Sequence, residues 1–432
     1  MAWYRLSWRR LLLRVATVAA VWLLSAPLAL YFSLVLLVRV AWNPFGGFWR
    51  PKPRTQPPPV LQDAALGQHA YVTLSKGIKL HYVHTGDSSR PLMLLLHGFP
   101  EFWFSWKHQM QAFSQDYWVV ALDMRGYGDS DKPSGSSAYR ADALVDDVKE
   151  LLEAFERPRA TLVGHGWGAA VAWMFAERFP EKVDKMVSIG APHPYVFQQA
   201  LVFDRKQLMR SWYFFLFQVP FLAELVLQSD DLACLSAALR RGRRDPPAVT
   251  DQDLEAYKYA FGQPGALTAP LNYYRAAGWG LPRRWRRRAA PASTVEDAGQ
   301  DTSADISATT SEDHSEDATD ATEDTSADNS HEDAAEETNA TKADAATDER
   351  AEPERSMPAR PTAEAVSSAL PDVLVLLGGR DAYVEHSTAF RTRKKFPNVR
   401  VVIVRDANHF AHLDDPEAVN KAVRKFLQGS GN

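Results

Sequence analysis

The chain has 432 residues, 46% of them hydrophobic, and a formal net charge of −4 at pH 7, enough to bury one large core or two to three ordinary ones. Its single cysteine, Cys234, excludes an intramolecular disulfide and a cysteine-rich metal cluster. The near-neutral balance hides an uneven spread: residues 289–349 hold 19 acidic side chains and one base, Lys342, so this segment carries −18 and the remainder +14.

At the N-terminus, residues 1–14 are basic (Arg5, Arg9, Arg10, Arg14), and residues 15–38 form an uncharged apolar run closed by Arg39. A bilayer span needs about 20 such residues, so the run reads as a transmembrane signal-anchor, with Pro27 a kink that bilayer helices tolerate. It is longer than the apolar part of a signal peptide and has no clear small-residue cleavage site. A buried core helix is the other alternative. Arg39, Arg50, Lys52 and Arg54 balance the upstream arginines, which leaves the orientation open. Residues 39–68, with prolines from 51 to 59, read as an extended linker that keeps the folded domain off the membrane surface.

From residue 69 the pattern alternates. Strands are expected at 71–74, 79–85, 92–96, 118–122 and 160–163, and helices at 102–113, 142–155 and 171–179. This order predicts an α/β fold, a mostly parallel sheet with helices on both faces, whose first part covers residues 69–191. Residues 192–284 are rich in aromatics and carry no strand-like alternation, so they read as an inserted helical lid. Residues 285–370 begin in an arginine run, 283–288, and continue as an acidic tract. Between 289 and 349 only Val295 and Ile306 are aliphatics larger than alanine, too few to offset the entropy of ordering. The tract is expected to be a disordered insertion, its partner unassigned, with a glycosylation sequon at Asn339. The fold resumes over 371–432, with strands at 373–377 and 399–404 and helices at 385–395 and 416–427.

Four clusters fall on loops that leave the carboxyl ends of strands, where open α/β sheets place their sites. His97-Gly98-Phe99-Pro100 offers backbone amides to a developing oxyanion, as does the amide of Trp167. Gly164-His165-Gly166-Trp167-Gly168 reads as a sharp strand-to-helix turn with Gly166 at its apex. Asp381 can orient an imidazole, and His409 is a candidate general base. Each also has a plain reading: a structural turn histidine, a helix cap, a surface histidine.

Taken together, these residues resemble an epoxide hydrolase of the α/β-hydrolase fold, in its membrane-anchored form. The resemblance rests on His97 to Pro100, on Arg125-Gly126-Tyr127-Gly128-Asp129-Ser130, on the Gly166 turn, and on two lid tyrosines. Tyr213 lies seven residues before Pro220, and Tyr274 lies in Pro270-Leu271-Asn272-Tyr273-Tyr274-Arg275. It implies that Tyr213 and Tyr274 donate to the epoxide oxygen, that Asp381 and His409 activate water, and that no cofactor or metal is needed. It further implies an apolar or lipid-like epoxide as substrate, no nucleic-acid partner, and a single-pass protein of the endoplasmic reticulum membrane.

The family places an aspartate nucleophile where this chain has Gly166. Without a carboxylate there, the ester that such enzymes form cannot arise. His165, its neighbour, is expected to face away from the cleft. The chain is then a binder of a lipid or small apolar ligand that has lost catalysis, or an enzyme in which His409 and Asp381 drive direct water attack. Aspartate and glycine codons differ by one base, so a sequence variant is the third alternative.

Overall fold

A computed structural model describes residues 2–241, 248–277 and 370–429, with side chains from Val15 onward. These residues fall in one compact unit, Met1–Arg287 with Pro361–Asn432. The expected insertion at 285–370, apart from its last residue, lies outside the described residues, as do the whole arginine run and the Asn339 sequon.

Short apolar runs become eight strands: β1 (Gln68–Thr73), β2 (Lys79–Thr85), β3 (Leu92–Leu96), β4 (Trp118–Leu122), β5 (Ala160–His165), β6 (Val183–Ile189), β7 (Asp372–Gly378) and β8 (Val399–Val404). They form one sheet in the order β1-β2-β4-β3-β5-β6-β7-β8. β1 and β2 pair antiparallel, and the other strands run parallel. Every residue of β3, β4 and β5 is buried, since a parallel sheet covered on both faces has no wet face to alternate with.

The helices are α1 (Ala2–Trp42), α2 (Lys107–Phe113), α3 (Ala141–Ala154), α4 (Gly166–Arg178), α5 (Pro194–Phe203), α6 (Arg205–Arg210), α7 (Trp212–Leu216), α8 (Leu222–Leu239), α9 (Asp251–Gly262), α10 (Thr268–Ala276), α11 (His386–Lys395), α12 (Ala411–Asp414) and α13 (Pro416–Leu427). The helix expected at 102–113 divides. Trp103–Trp106 is a buried 3-10 turn, fixed by a Trp103 amide that donates to Asp123 Oδ1 at 2.8 Å, and only α2 is α-helical. Between β6 and β7 the described chain forms α5 to α10 and no strand, with α9 started by a reciprocal Thr250–Asp253 capping box.

α1 continues through Pro27 without a break, and residues 48–54 do not reach away from the domain as expected. They are tied to the helical insertion by a charged clamp on α8. That helix is interrupted at Ser229–Leu232, where Asp230, Asp231 and Leu232 take φ of 52°, 57° and 64°. Left-handed backbone costs about 1–2 kcal/mol for a residue with a Cβ. Asp231 in return accepts from both Arg54 Nη atoms (2.7 and 2.8 Å), the Lys52 amide (3.0 Å) and Lys258 Nζ (3.1 Å). The Asp230 amide donates to the Phe48 carbonyl at 2.7 Å, and Arg39 pairs with the Asp230 carboxylate. Opposite charges therefore fold the proline-rich segment back onto the domain.

The Arg54 hydrogen bond, ahead of the Lys52 and Lys258 contacts, holds the Asp231 carboxyl below its usual range. Its contribution to stability is present above the ordinary carboxylate pKa and is lost as pH falls below it. Asp231→Asn keeps a side chain that suits the left-handed turn but removes the charge. It is expected to lower stability by about 1 kcal/mol, since the clamp borders solvent, and to speed amide exchange over residues 48–54. Thermal unfolding and hydrogen exchange measure both, and an unchanged exchange rate rejects the clamp.

Candidate active site

Parallel strands present their carboxyl ends at one edge of the sheet, and the predicted clusters meet there. β5 passes into α4 at His165–Gly166, with Gly166 at φ +51°. This is the left-handed region, which glycine enters without a Cβ penalty. α4 starts so close to the sheet that a Cβ on Gly168 would lie 2.0 Å from the Leu96 carbonyl oxygen. A Cβ on Gly166 would instead meet only the Gly98 Cα, at 3.5 Å, an ordinary contact. The apex therefore has room for a Cβ, and its missing side chain is not a consequence of crowding.

After β7, Asp381 is buried and accepts from the amides of Tyr383 (2.8 Å) and Val384 (2.9 Å) through Oδ1. Its Oδ2 lies 2.9 Å from His409 Nδ1 on the loop after β8. Burial pushes the carboxyl up, but His409 and the two amides outweigh it and leave Asp381 below its usual range. For His409 burial pulls the imidazole down, and the charge and hydrogen bond of Asp381 more than reverse this, placing it above the usual 6.5. An ionised Asp381 can only accept, so Nδ1 carries the hydrogen and Nε2 is left as the basic nitrogen. The His409 side chain keeps 12% of its surface exposed.

The helical insertion brings Tyr213 (α7) and Tyr274 (α10) together, their rings edge to face at 6.0 Å. Tyr274 packs against Trp167 (5.2 Å), Phe217 (4.9 Å) and Phe99 (5.9 Å), so apolar rings surround its phenol. Burial raises both phenols; for Tyr213 the neighbouring Tyr274, Tyr383 and Asp381 add to it, while a hydrogen bond from the Trp167 indole draws Tyr274 partly back. Both remain protonated donors at neutral pH. Tyr383, which the sequence analysis did not single out, bridges the two halves: its ring is 5.5 Å from Tyr213 and 5.0 Å from His409. Its place two residues after Asp381, in a turn closed by the aspartate's own side chain, is the signal that could have found it.

The His97 turn needs a correction. The His97 imidazole is locked between the Gly98 carbonyl (2.9 Å) and the Met124 amide, which donates to Nε2 at 3.0 Å. The Gly98 amide donates to Glu101 Oε2 at 2.8 Å, and Pro100 has no amide hydrogen. The candidate oxyanion donors narrow to the amides of His97, Phe99 and Trp167. The His97 imidazole and Gly98 shape the turn instead.

Glu101 was also missed. It is fully buried, with Oε2 2.5 Å from His165 Nδ1 and Oε1 2.9 Å from His412 Nε2. Burial alone favours the neutral acid, but the flanking imidazoles hold Glu101 well below its usual range. His165 Nε2 reaches the His409 carbonyl at 3.2 Å. His165 thus points under the elbow, into the core, and is no nucleophile. The three side chains could ligate a metal ion; Glu101 Oε2 and His165 Nδ1 share a hydrogen bond, whereas Glu101 Oε1 and His412 Nε2 lie 2.9 Å apart without the alignment of one, and the cluster braces the elbow against the His409 loop.

This architecture has known counterparts. A family model described as the alpha/beta hydrolase fold matches residues 91–416. The chain is 43% identical over 231 residues to Epoxide hydrolase 4 of Mus musculus, covering 51% of this chain and 63% of that protein. It is 38% identical over 288 residues to Epoxide hydrolase 3 of the same species, covering 65% of this chain and 78% of the relative. The alignment thus spans just under two thirds of the first relative's length. Among solved structures, a Bacillus megaterium epoxide hydrolase in complex with an inhibitor superposes with a TM-score of 0.60 at 24% identity, covering 83% of this chain and 100% of that one. At that identity the likeness speaks for the fold alone. The chain belongs to the α/β-hydrolase fold family and groups there with the epoxide hydrolases.

Proposed function

We propose that the chain hydrates epoxides of apolar, lipid-like substrates to vicinal diols by direct attack of water, with no ester on the chain. The observation that carries this reading is the intact Asp381–His409 pair together with an apex where a Cβ would meet nothing closer than 3.5 Å. In this scheme a water occupies the room a nucleophile would fill. His409 Nε2 takes its proton as the oxygen attacks an epoxide carbon. The carbon–oxygen bond of the ring breaks, and its electron pair goes to the ring oxygen. Tyr213 and Tyr274 hydrogen-bond that oxygen, and one phenol gives up its proton to it. The proton on His409 returns to the phenolate through water, so epoxide plus water balances diol. The rings of Phe99, Trp167 and Phe217 favour an apolar substituent.

Anchoring belongs to the same proposal. The run Val15–Trp42 is 28 residues of apolar helix near the N-terminus, and we assign it as the membrane anchor of a protein of the endoplasmic reticulum. The second reading, a binder of lipid or small apolar ligands without turnover, is favoured by one feature, the absent side chain at Gly166.

Incubation with an aryl or fatty-acid epoxide separates the two. Diol formation is expected, and it should disappear in His409→Ala; retained ligand binding with no diol favours the second reading. Because the base must be neutral, the rate should rise with pH through a midpoint above 6.5. Asp381→Asn should lower that midpoint and slow hydration by at least about a hundredfold. In the same pair, stability is fully present below the ordinary histidine pKa and is lost as pH rises through the raised one. A pH-independent rate contradicts the general-base role.

Gly166→Asp restores a carboxylate at the apex. The left-handed backbone costs about 1–2 kcal/mol, which aspartate tolerates better than most residues. Hydration is expected to rise at least about a hundredfold, with a transient ester visible by mass spectrometry. A folded variant that stays inert toward a broad epoxide panel contradicts the donor roles of Tyr213 and Tyr274.

A further inference from the structure

α1 does not stand apart from the domain. Ser25, fully buried in the middle of the apolar helix, donates from Oγ to the Phe215 carbonyl of α7 at 2.9 Å. Phe32 stacks on Trp212 at 5.9 Å, and Arg39 closes the far end on Asp230. The helical insertion therefore lies along α1 from about Val21 to Arg39, and this contact sets a depth. Ser25 is ten residues into the run that begins at Val15, about 15 Å at 1.5 Å per residue. That is roughly half of the hydrocarbon core of a bilayer, which is about 30 Å thick. Ahead of Val21 the run has only six residues, about 9 Å, too short to cross by themselves. If α1 enters lipid, the insertion beside it enters too.

The surface of the insertion fits that placement. Among the described residues beyond Phe45, eight large apolar side chains are exposed, and five of them fall within residues 202–221. They include Phe203 (78% exposed), Met209 (66%), Trp212 (43%) and Phe221 (87%). Trp212 already touches α1 through Phe32, so this patch borders the helix, whose opposite face exposes Leu23, Leu30 and Leu34. Exposed apolar clusters of this kind mark contact surfaces. Asp230 and Asp231 are paired with Arg39 and Arg54, and the exposed Arg205 and Lys206 between Phe203 and Met209 have stems long enough to carry their charges to the headgroups.

We infer that the face formed by α5 to α8 is immersed with α1 in the acyl chains of one membrane leaflet, and that epoxides reach the site from the hydrocarbon. α7 carries Trp212 on this face and Tyr213 at the site, so one short helix separates lipid from the phenols. A lipid-borne epoxide reaches them without crossing water. The inference rests on the anchor reading of α1.

The full chain in phospholipid nanodiscs tests it. Cys234→Ser provides the background, and single cysteines replacing Leu23, Phe203, Phe221 and, at the far end of α3, Glu153 carry an environment-sensitive fluorophore. Lipids brominated along the acyl chain should quench the labels at Phe203 and Phe221 as strongly as at Leu23, with Glu153 unaffected. Quenching at Leu23 alone leaves the anchor standing and overturns immersion. Quenching at none of the four overturns the anchor and immersion together. Lid labels shielded only when two copies share a disc assign the patch to self-association and also overturn immersion. The unmodified chain supplies a second readout: a photoreactive acyl-chain probe should label peptides from α5 to α8 as well as α1, and labelling confined to α1 contradicts the inference.

Discussion

A chain that leaves a buried parallel strand and enters a helix within one residue must place that residue in left-handed backbone, and at Gly166 it does so at φ +51°. Everything else at the site depends on that turn being held. Gly168 lets α4 close on the Leu96 carbonyl. Underneath, Glu101 ties His165 and His412 together and fixes the Gly98 amide. The elbow is thus braced from below by buried charge and hydrogen bonds, and nothing in that bracing requires a side chain at the apex. The scaffold of a nucleophile persists without the nucleophile.

The groups around the apex are arranged for proton movement. Asp381 is positioned by two amides before it meets His409, so the imidazole is oriented and its basicity raised in one step. The phenols of Tyr213 and Tyr274 are kept neutral by burial, which is the state in which they can donate to a forming alkoxide. Tyr383 links the two sets through ring contacts. Hydrogen-bond donors held in place in a water-poor site stabilise developing charge without reorganising, and that contribution does not depend on whether the attacking oxygen belongs to a carboxylate or to water.

Much of this was legible in the sequence because local chemistry dictates it. The runs that became β2, β3, β4 and β8 are short, apolar or β-branched, and bounded by turn residues, and the order of Gly166, Asp381 and His409 follows the strands that carry them. What escaped were features made by distant pairings. Glu101 looks like any acid in a polar loop until His165 and His412 close over it. The left-handed backbone at Asp230, Asp231 and Leu232 has no glycine to announce it, and the proline-rich stretch gave no hint that Arg54 would be captured by Asp231. The contact of α1 with α7 joins residues about 190 positions apart, beyond the reach of any periodicity.

The central claim is that water, not a group on the chain, supplies the attacking oxygen. It is tested most directly by a single turnover in isotopically heavy water with protein in excess over epoxide. The account predicts that the first diol released carries one heavy oxygen and that no carboxylate of the chain becomes labelled. A first diol without heavy oxygen, with label appearing instead in an aspartate or glutamate of the chain, would contradict it.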